Sequence, residues 1–220
     1  ASRLRAAVQT GLDAAAQPPA WALANHDVHR TVTRYGQEQI LEAPDLCFAR
    51  GALSREWDGV EPSMHAAGVY VLPQLRHPLL PGGRCVANDL RLGESYHALV
   101  LSGPNAGGKT VAMKSLALAV LCARAGLHVA AAPGARVDFA ERLLADIGDA
   151  QSLRESLSTF SAHLANLARI VAAADVQSVV VLDEIGDGTD PGEGAALAQA
   201  VLEALANAGA RVVVTTHYAL

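Results

Sequence analysis

The sequence has few aromatic residues, few cysteines and no excess of positive charge. Phe, Trp and Tyr make up 4% of its 220 residues, whereas 51% are hydrophobic, so we expect a core built mainly from Ala, Leu and Val. The formal net charge of −5 argues against this stretch being a general nucleic-acid binder, because phosphate contacts need clustered Lys and Arg. That charge is still compatible with a nucleic-acid partner held by regions outside this chain.

Cysteine pairs and long apolar runs are also missing from the sequence. Cys47, Cys85 and Cys122 are widely spaced and form no C-x-x-C pair, which argues against a disulfide framework or a zinc site. No apolar run approaches the roughly 18 residues of a membrane span, and the first residues lack the pattern of a signal peptide. We therefore expect a soluble, cytoplasmic protein in a reducing compartment, without a membrane partner.

Hydrophobic patterning divides the chain into two parts. Residues 1–62 show helical periodicity without strands, and helices are predicted at 2–16, 21–43 and 45–57. Residues 63–220 alternate helical stretches, the last from about residue 194 to 208, with short strand-like runs at 69–72, 98–101, 128–130, 138–146, 178–182 and 211–214. We predict an α/β domain at 63–220, with a mainly parallel sheet flanked by helices, preceded by a small helical segment at 1–62.

Residues 102–110, Ser-Gly-Pro-Asn-Ala-Gly-Gly-Lys-Thr, fit the phosphate-binding loop pattern G-x-x-x-x-G-K-[ST] between a strand and a helix. Glycines let successive backbone N–H groups point at phosphate oxygens, and the helix dipole adds positive potential at the same place. We expect Lys109 to reach the β- and γ-phosphates and the Thr110 hydroxyl to bind Mg²⁺. The predicted nucleotide contacts are Gly103, Pro104, Asn105, Ala106, Gly107, Gly108, Lys109 and Thr110.

Polar residues follow two further apolar strands. Asp183 and Glu184 come directly after the run at 178–182, and His217 closely follows the run at 211–214. A buried strand that ends in two acids has little structural reason to exist, because buried carboxylates are costly without a partner. We expect Asp183 to hold Mg²⁺, Glu184 to orient and polarise the attacking water, and His217 to contact a γ-phosphate.

A second helix start is predicted at Ser158, as an N-cap before the apolar residues Leu164, Leu167 and Ile170. Such a helix N-terminus can accept an anion. A simple capped helix without a ligand fits the same spacing, so the pattern by itself leaves both readings open.

Together these motifs resemble the ATPase domain of the MutS family, which belongs to the ABC-type ATPases and forms its sites between two subunits. The second-type bacterial branch (MutS-two), which lacks the mismatch-recognition domain, is resembled by residues 147–149, 151–152, 156–163, 183–186, 188–191, 193–196 and 215–218. The resemblance covers about residues 63–220 strongly. It implies that the helices before residue 63 are the end of a core and lever region and that the chain is truncated at its C-terminal end.

The resemblance also implies cofactors and roles. ATP and Mg²⁺ would bind at the phosphate loop, Ser158 and Thr159 would contact the γ-phosphate bound in the partner subunit of a homodimer, and Val86 would lie near the adenine. Cys85 stands where an aromatic residue often stacks on the base, so stacking would be weak here. Ala150 replaces an acidic residue common in this branch.

The implied function is an ATP hydrolase in which ATP-driven dimer closure is coupled to a clamp on nucleic acid. Regions outside this chain would hold branched DNA, in DNA repair and recombination control, or a stalled ribosome, and the residues do not choose between them. The alternatives are a mismatch-repair MutS protein proper, or a nucleotide-gated dimerisation module with negligible turnover. A small-molecule kinase is less favoured, because the sequence shows no Arg-bearing lid insertion.

Overall fold

The computed structural model describes residues 43–80, 85–103, 108–148, 156–187 and 189–217 of a chain that forms two compact units, 1–59 and 60–220. In the first unit it describes one helix, α1 (Ala43–Glu56), close to the helix predicted at 45–57. The helices predicted farther towards the N-terminus lie outside the described residues. None of the helices within the described ranges is long and apolar enough to cross a membrane.

The second unit contains two sheets and three helices within its described residues. In chain order its elements are β1 (Tyr70–Leu75), β2 (Asn88–Leu92), β3 (Ala98–Ser102), α2 (Lys109–Arg124), β4 (Arg136–Val137), β5 (Arg142–Asp146), α3 (Ser156–Ala173), β6 (Ser178–Leu182), α4 (Pro191–Asn207) and β7 (Arg211–Thr216). The prediction of an α/β unit with a parallel sheet flanked by helices is confirmed.

Four strands form a parallel sheet in the order β3-β7-β6-β5. Ser102 at the end of β3 pairs with Thr216 at the end of β7, and Leu182 at the end of β6 pairs with Val214. Because parallel strands share one direction, the segments that leave β3, β6 and β7 all begin at the same edge of the sheet.

Alternate residues of the central strands pack on opposite faces of this sheet. Val181 and Val213 belong to a core shared with α2, whereas Val180 and Val212 belong to a core shared with α3 and α4. β6 and β7 are therefore covered on both sides, which is why each contains a run of three fully buried valines. Tyr70 is the one aromatic residue among the buried hydrophobic residues that the structure describes, in agreement with the expected Ala, Leu and Val core.

The strand pattern missed a second sheet, in which β1 pairs antiparallel with both β2 and β4. The run predicted at 128–130 forms only an isolated bridge between Val129 and Val60. The run predicted from residue 138 forms a strand only from Arg142, because the buried Asp138 carboxylate instead accepts the backbone N–H groups of His65, Ala67 and Val69.

Two helices begin earlier than the sequence pattern indicated. α3 begins at Ser156, so Ser158 has helical backbone and is not the N-cap, because an N-cap residue has non-helical dihedral angles. α4 was predicted from residue 194 and begins at Pro191. Its N-cap is Asp190, which accepts the Gly192 N–H at 2.9 Å, and proline suits the first helical position.

Candidate functional site

Gly103 and the start of α2 lie where β3 leaves the sheet. Gly103 has φ 138° and Gly108, the N-cap of α2, has φ 76°, a left-handed conformation that strains any residue with a Cβ. Between them, residues 104–107 of the predicted phosphate contacts lie outside the described residues. Lys109 and Thr110 form the first turn of α2, so both side chains start at the carboxyl edge of the parallel sheet.

Lys109 is a buried cation, only 8% exposed. Its ammonium group donates to the carbonyl oxygen of Gly103 and lies 3.5 Å from Nδ1 of His217. No carboxylate of the described residues forms an ion pair with it. Because a buried charge is costly without a counter-charge, this position is suited to an anionic ligand.

Asp183 lies beside Thr110, as the sequence predicted for a shared magnesium ion. The Thr110 hydroxyl donates to Oδ1 of Asp183 at 3.1 Å, and the Thr215 hydroxyl donates to the same oxygen at 2.5 Å. The Thr215 oxygen also accepts the backbone N–H of Glu184 at 2.8 Å. Hydroxyl and carboxylate oxygens are the ligands that Mg²⁺ prefers, so this donor set fits the ion.

Glu184 and His217 form the second polar pair of the site, with 3.2 Å between Oε1 of Glu184 and Nε2 of His217. The Lys109 ammonium can only donate, so this contact favours the tautomer of His217 in which Nδ1 accepts and Nε2 donates to Glu184. Lys109, His217 and Glu184 are thereby joined in one line of polar contacts. Glu184 has φ 49°, a conformation that residues other than glycine seldom adopt.

Two residues near the site were missed by the sequence analysis. Thr215 lies near the end of a valine-rich strand, and the only sequence signal was the pair of hydroxyl residues Thr215 and Thr216 between the valines and His217. Asp187 lies in the turn after Glu184, and potential ligand atoms of Asp187, Glu184 and His217 lie within 4.8 Å of one another.

Other predicted residues are not joined to this cluster by the described contacts. Val86 is 79% exposed, and its carbonyl accepts the side-chain amide of Asn88 at 3.0 Å, a local bond. The Cys85 thiol accepts the backbone N–H of His77 at 3.2 Å. The side chains of Ser158 and Thr159 lie outside the described residues, as does Ala150.

Fold and site together define an α/β protein whose parallel sheet carries a buried lysine, a threonine–carboxylate group and a histidine–glutamate pair at one edge. Residues 99–220 match the family described as MutS domain V, and the chain belongs to this MutS family. The family membership indicated by the sequence motifs is confirmed.

Named relatives point to the same branch as the motifs. The chain is 48% identical over 179 residues to the endonuclease MutS2 of Alkaliphilus oremlandii, an alignment that covers 81% of this chain and 23% of the relative. It is 44% identical over 180 residues to the putative endonuclease MutS2 of Bacillus subtilis, covering 82% of this chain and 23% of that protein. It is 48% identical over 180 residues to the endonuclease MutS2 of Symbiobacterium thermophilum, an alignment that covers 82% of this chain and 23% of that relative. The chain thus spans about a quarter of the length of these relatives.

Proposed function

We propose that this chain is the ATP-binding and ATP-hydrolysing part of a MutS-like protein, built as a P-loop NTPase of the ABC type. The observation that carries the proposal is the buried Lys109 ammonium, which has no carboxylate partner among the described residues and lies at the start of α2. A helix N-terminus and an unneutralised lysine at the same place attract a phosphate group.

Thr110 and Asp183 would hold Mg²⁺ through oxygens that already lie 3.1 Å apart. Bound there with ATP, the ion would neutralise phosphate charge. Thr215 fixes the Asp183 carboxylate from the other side, since it donates to the same oxygen at 2.5 Å. Side chains on two other elements, α2 and β7, therefore keep this carboxylate oriented before any ligand arrives, which lowers the cost of binding.

Glu184 is proposed as the base that orients water and accepts its proton. The N–H at Nε2 of His217 donates to Oε1 of Glu184 and holds the carboxylate in place, while Oε2 receives no bond from that nitrogen. His217 would in turn contact the γ-phosphate once Lys109 has turned towards the phosphates. Val86 would lie near the adenine, and Ser158 and Thr159 on α3 would serve the nucleotide of a partner subunit.

ATP binding to a Lys109→Ala variant tests the proposal. We expect the dissociation constant for Mg²⁺–ATP to rise at least about tenfold, because the buried counter-charge of the phosphates is removed. Lys114→Ala is the matched control, since it removes a lysine from the next turn of the same helix. Equal affinity of both variants and the wild type, measured by calorimetry, would contradict the proposed site.

For the whole protein we propose a homodimer in which ATP binding closes two such chains and tightens a clamp on nucleic acid. The partner would be branched DNA or a stalled ribosome, held by regions outside this chain. The MutS family membership supports this proposal, and the relatives' names associate the MutS2 proteins with endonuclease activity.

A further inference from the structure

The last residue of β5, Asp146, connects two elements of the site through different atoms. Its carboxylate, in a side chain that is 13% exposed, lies 3.1 Å from Nδ1 of His163 and accepts the side-chain amide of Asn166 at 2.8 Å. His163 and Asn166 are three residues apart and therefore share one face of α3. The Asp146 backbone carbonyl accepts the N–H of Asp183 at 2.9 Å.

This backbone bond continues the β5–β6 ladder past its last paired residues. β5 is the outer strand of the parallel sheet, bonded to β6 on one side. Terminal bonds of an edge strand open readily, because few neighbouring contacts support them. The two donors on α3 hold the Asp146 side chain and so hold its carbonyl against Asp183.

Gly148 has no side chain, and the His163 ring occupies the space that a side chain there would fill. A Cβ built on Gly148 would lie 2.8 Å from Cε1 of His163, closer than atoms pack. Any side chain at this position would push the imidazole aside. The geometry therefore depends on a glycine two residues after Asp146.

We propose that His163 is a positioning residue that, through Asp146, couples the orientation of α3 to the carboxylate of Asp183. The inference rests on the proposed ATPase function. The contacts form a continuous path. The His163 imidazole contacts the Asp146 carboxylate, the Asp146 carbonyl accepts the Asp183 N–H, and the Asp183 side chain accepts the Thr110 hydroxyl. A shift of α3 on binding a nucleotide or a partner subunit is transmitted to the residue that holds the metal ion.

Amide hydrogen exchange of Asp183 in the nucleotide-free full-length protein tests the coupling without using ATP. In His163→Ala we expect exchange at Asp183 to accelerate at least about tenfold, while exchange at Val181 inside β6 changes less than about twofold. His163→Gln should restore protection, because its side-chain amide can donate to Asp146. Unchanged exchange at Asp183 in His163→Ala would overturn the proposal, as would failure of His163→Gln to restore it.

ATP hydrolysis provides the second readout. His163→Ala should lower kcat about tenfold with the KM for ATP within about twofold, because Asp183 is misplaced while Lys109 is untouched. Gly148→Ala should also lower kcat, although it removes neither His163 nor Asp146. It is the substitute variant if His163→Ala does not fold. His97→Ala, which removes an exposed histidine, is the control. If His163→Ala lost kcat and ATP affinity equally, or lost neither, the coupling would be contradicted. If the wild type itself did not hydrolyse ATP, the ATPase proposal would be contradicted, and the hydrogen-exchange result alone would decide the coupling.

Discussion

At the scale of the residue, the Thr215 hydroxyl serves two partners at once. It donates to the Asp183 carboxylate at 2.5 Å and accepts the Glu184 N–H at 2.8 Å, in a side chain that is fully buried. One oxygen thus fixes both residues that follow β6. Glu184 in particular needs such a restraint, because its φ of 49° is unfavourable for a residue with a side chain.

Thr215→Val should destabilise the protein by about 1–3 kcal/mol, because it leaves the partly buried Glu184 N–H without its acceptor at nearly unchanged volume. Thr215→Ser keeps the hydroxyl and should cost less than Thr215→Val. Urea unfolding of the three proteins measures the difference. If Thr215→Val were as stable as the wild type, the hydroxyl would not be needed to hold this turn.

Single residues of the site differed in how far the sequence could reveal them. Lys109 and Asp183 could be predicted as candidate site residues because a motif or a strand end fixes them by spacing along the chain. Thr215 escaped because its partners are 31 and 32 residues away, so its role depends on the strand register. Asp187 escaped because a turn residue gains its neighbours only when the turn brings it back to the site.

At the scale of the element, the buried Asp138 carboxylate joins β4 to the segment that leads into β1. It accepts two bonds from the Arg136 guanidinium, both at 2.8 Å, and one each from His65 and Val69 at 3.1 and 3.0 Å. Burial opposes ionisation of this carboxyl, but the bonds from Arg136 and the backbone outweigh it, so its pKa lies below the usual value.

Asp138→Asn should cost about 2–3 kcal/mol of stability at pH 7, because the bonds from Arg136 and from the backbone lose their charged acceptor. A depressed pKa in the folded state means that this stability is present above the unfolded pKa of about 4 and is lost as pH falls through the folded pKa. Urea unfolding at neutral and acid pH should show the difference from wild type shrinking below about pH 4. Glu94→Gln, in an exposed pair with Arg91, is the control and should cost about 0.5 kcal/mol or less. A pH-independent difference would contradict the role of the charge.

Helices and strands could be predicted from the sequence where the local hydrophobic pattern determines them. β6 and β7 are apolar because both faces of the parallel sheet are covered, so their runs of valine identify them. The antiparallel sheet was missed because β4 has only two residues and pairs with β1, some 66 residues earlier, which local periodicity does not encode. The start of α3 was misplaced because a serine two residues inside a helix carries the same local signal as an N-cap.

At the scale of the whole molecule, the proposed function assigns phosphate contacts to two helix N-termini of each chain, those of α2 and α3. One phosphate-binding loop per chain would be sufficient to bind one nucleotide. The second helix N-terminus would then contact a different nucleotide, the one bound by the other chain of a two-fold dimer. We therefore expect ATP to promote face-to-face dimerisation of the full-length protein.

Complementation between two defective full-length chains measures this arrangement. A Lys109→Ala chain mixed with a Ser158→Arg chain gives heterodimers in which both defects meet in one site and the other site is intact. Mixing should restore up to about half of the wild-type activity per dimer. No recovery, with heterodimers shown to form, would mean that each chain hydrolyses ATP alone or that both sites must act together.

The most direct test of ATP hydrolysis at this site is single-turnover hydrolysis by Glu184→Gln, measured beside its equilibrium affinity for ATP. We expect affinity within about threefold of wild type, because the phosphate contacts are kept, and hydrolysis slowed at least about a hundredfold, because the water loses its base. A nucleotide-gated dimerisation module would instead show negligible turnover already in the wild type. Hydrolysis by Glu184→Gln at the wild-type rate would contradict the assignment of Glu184 and, with it, the proposed chemistry of the site.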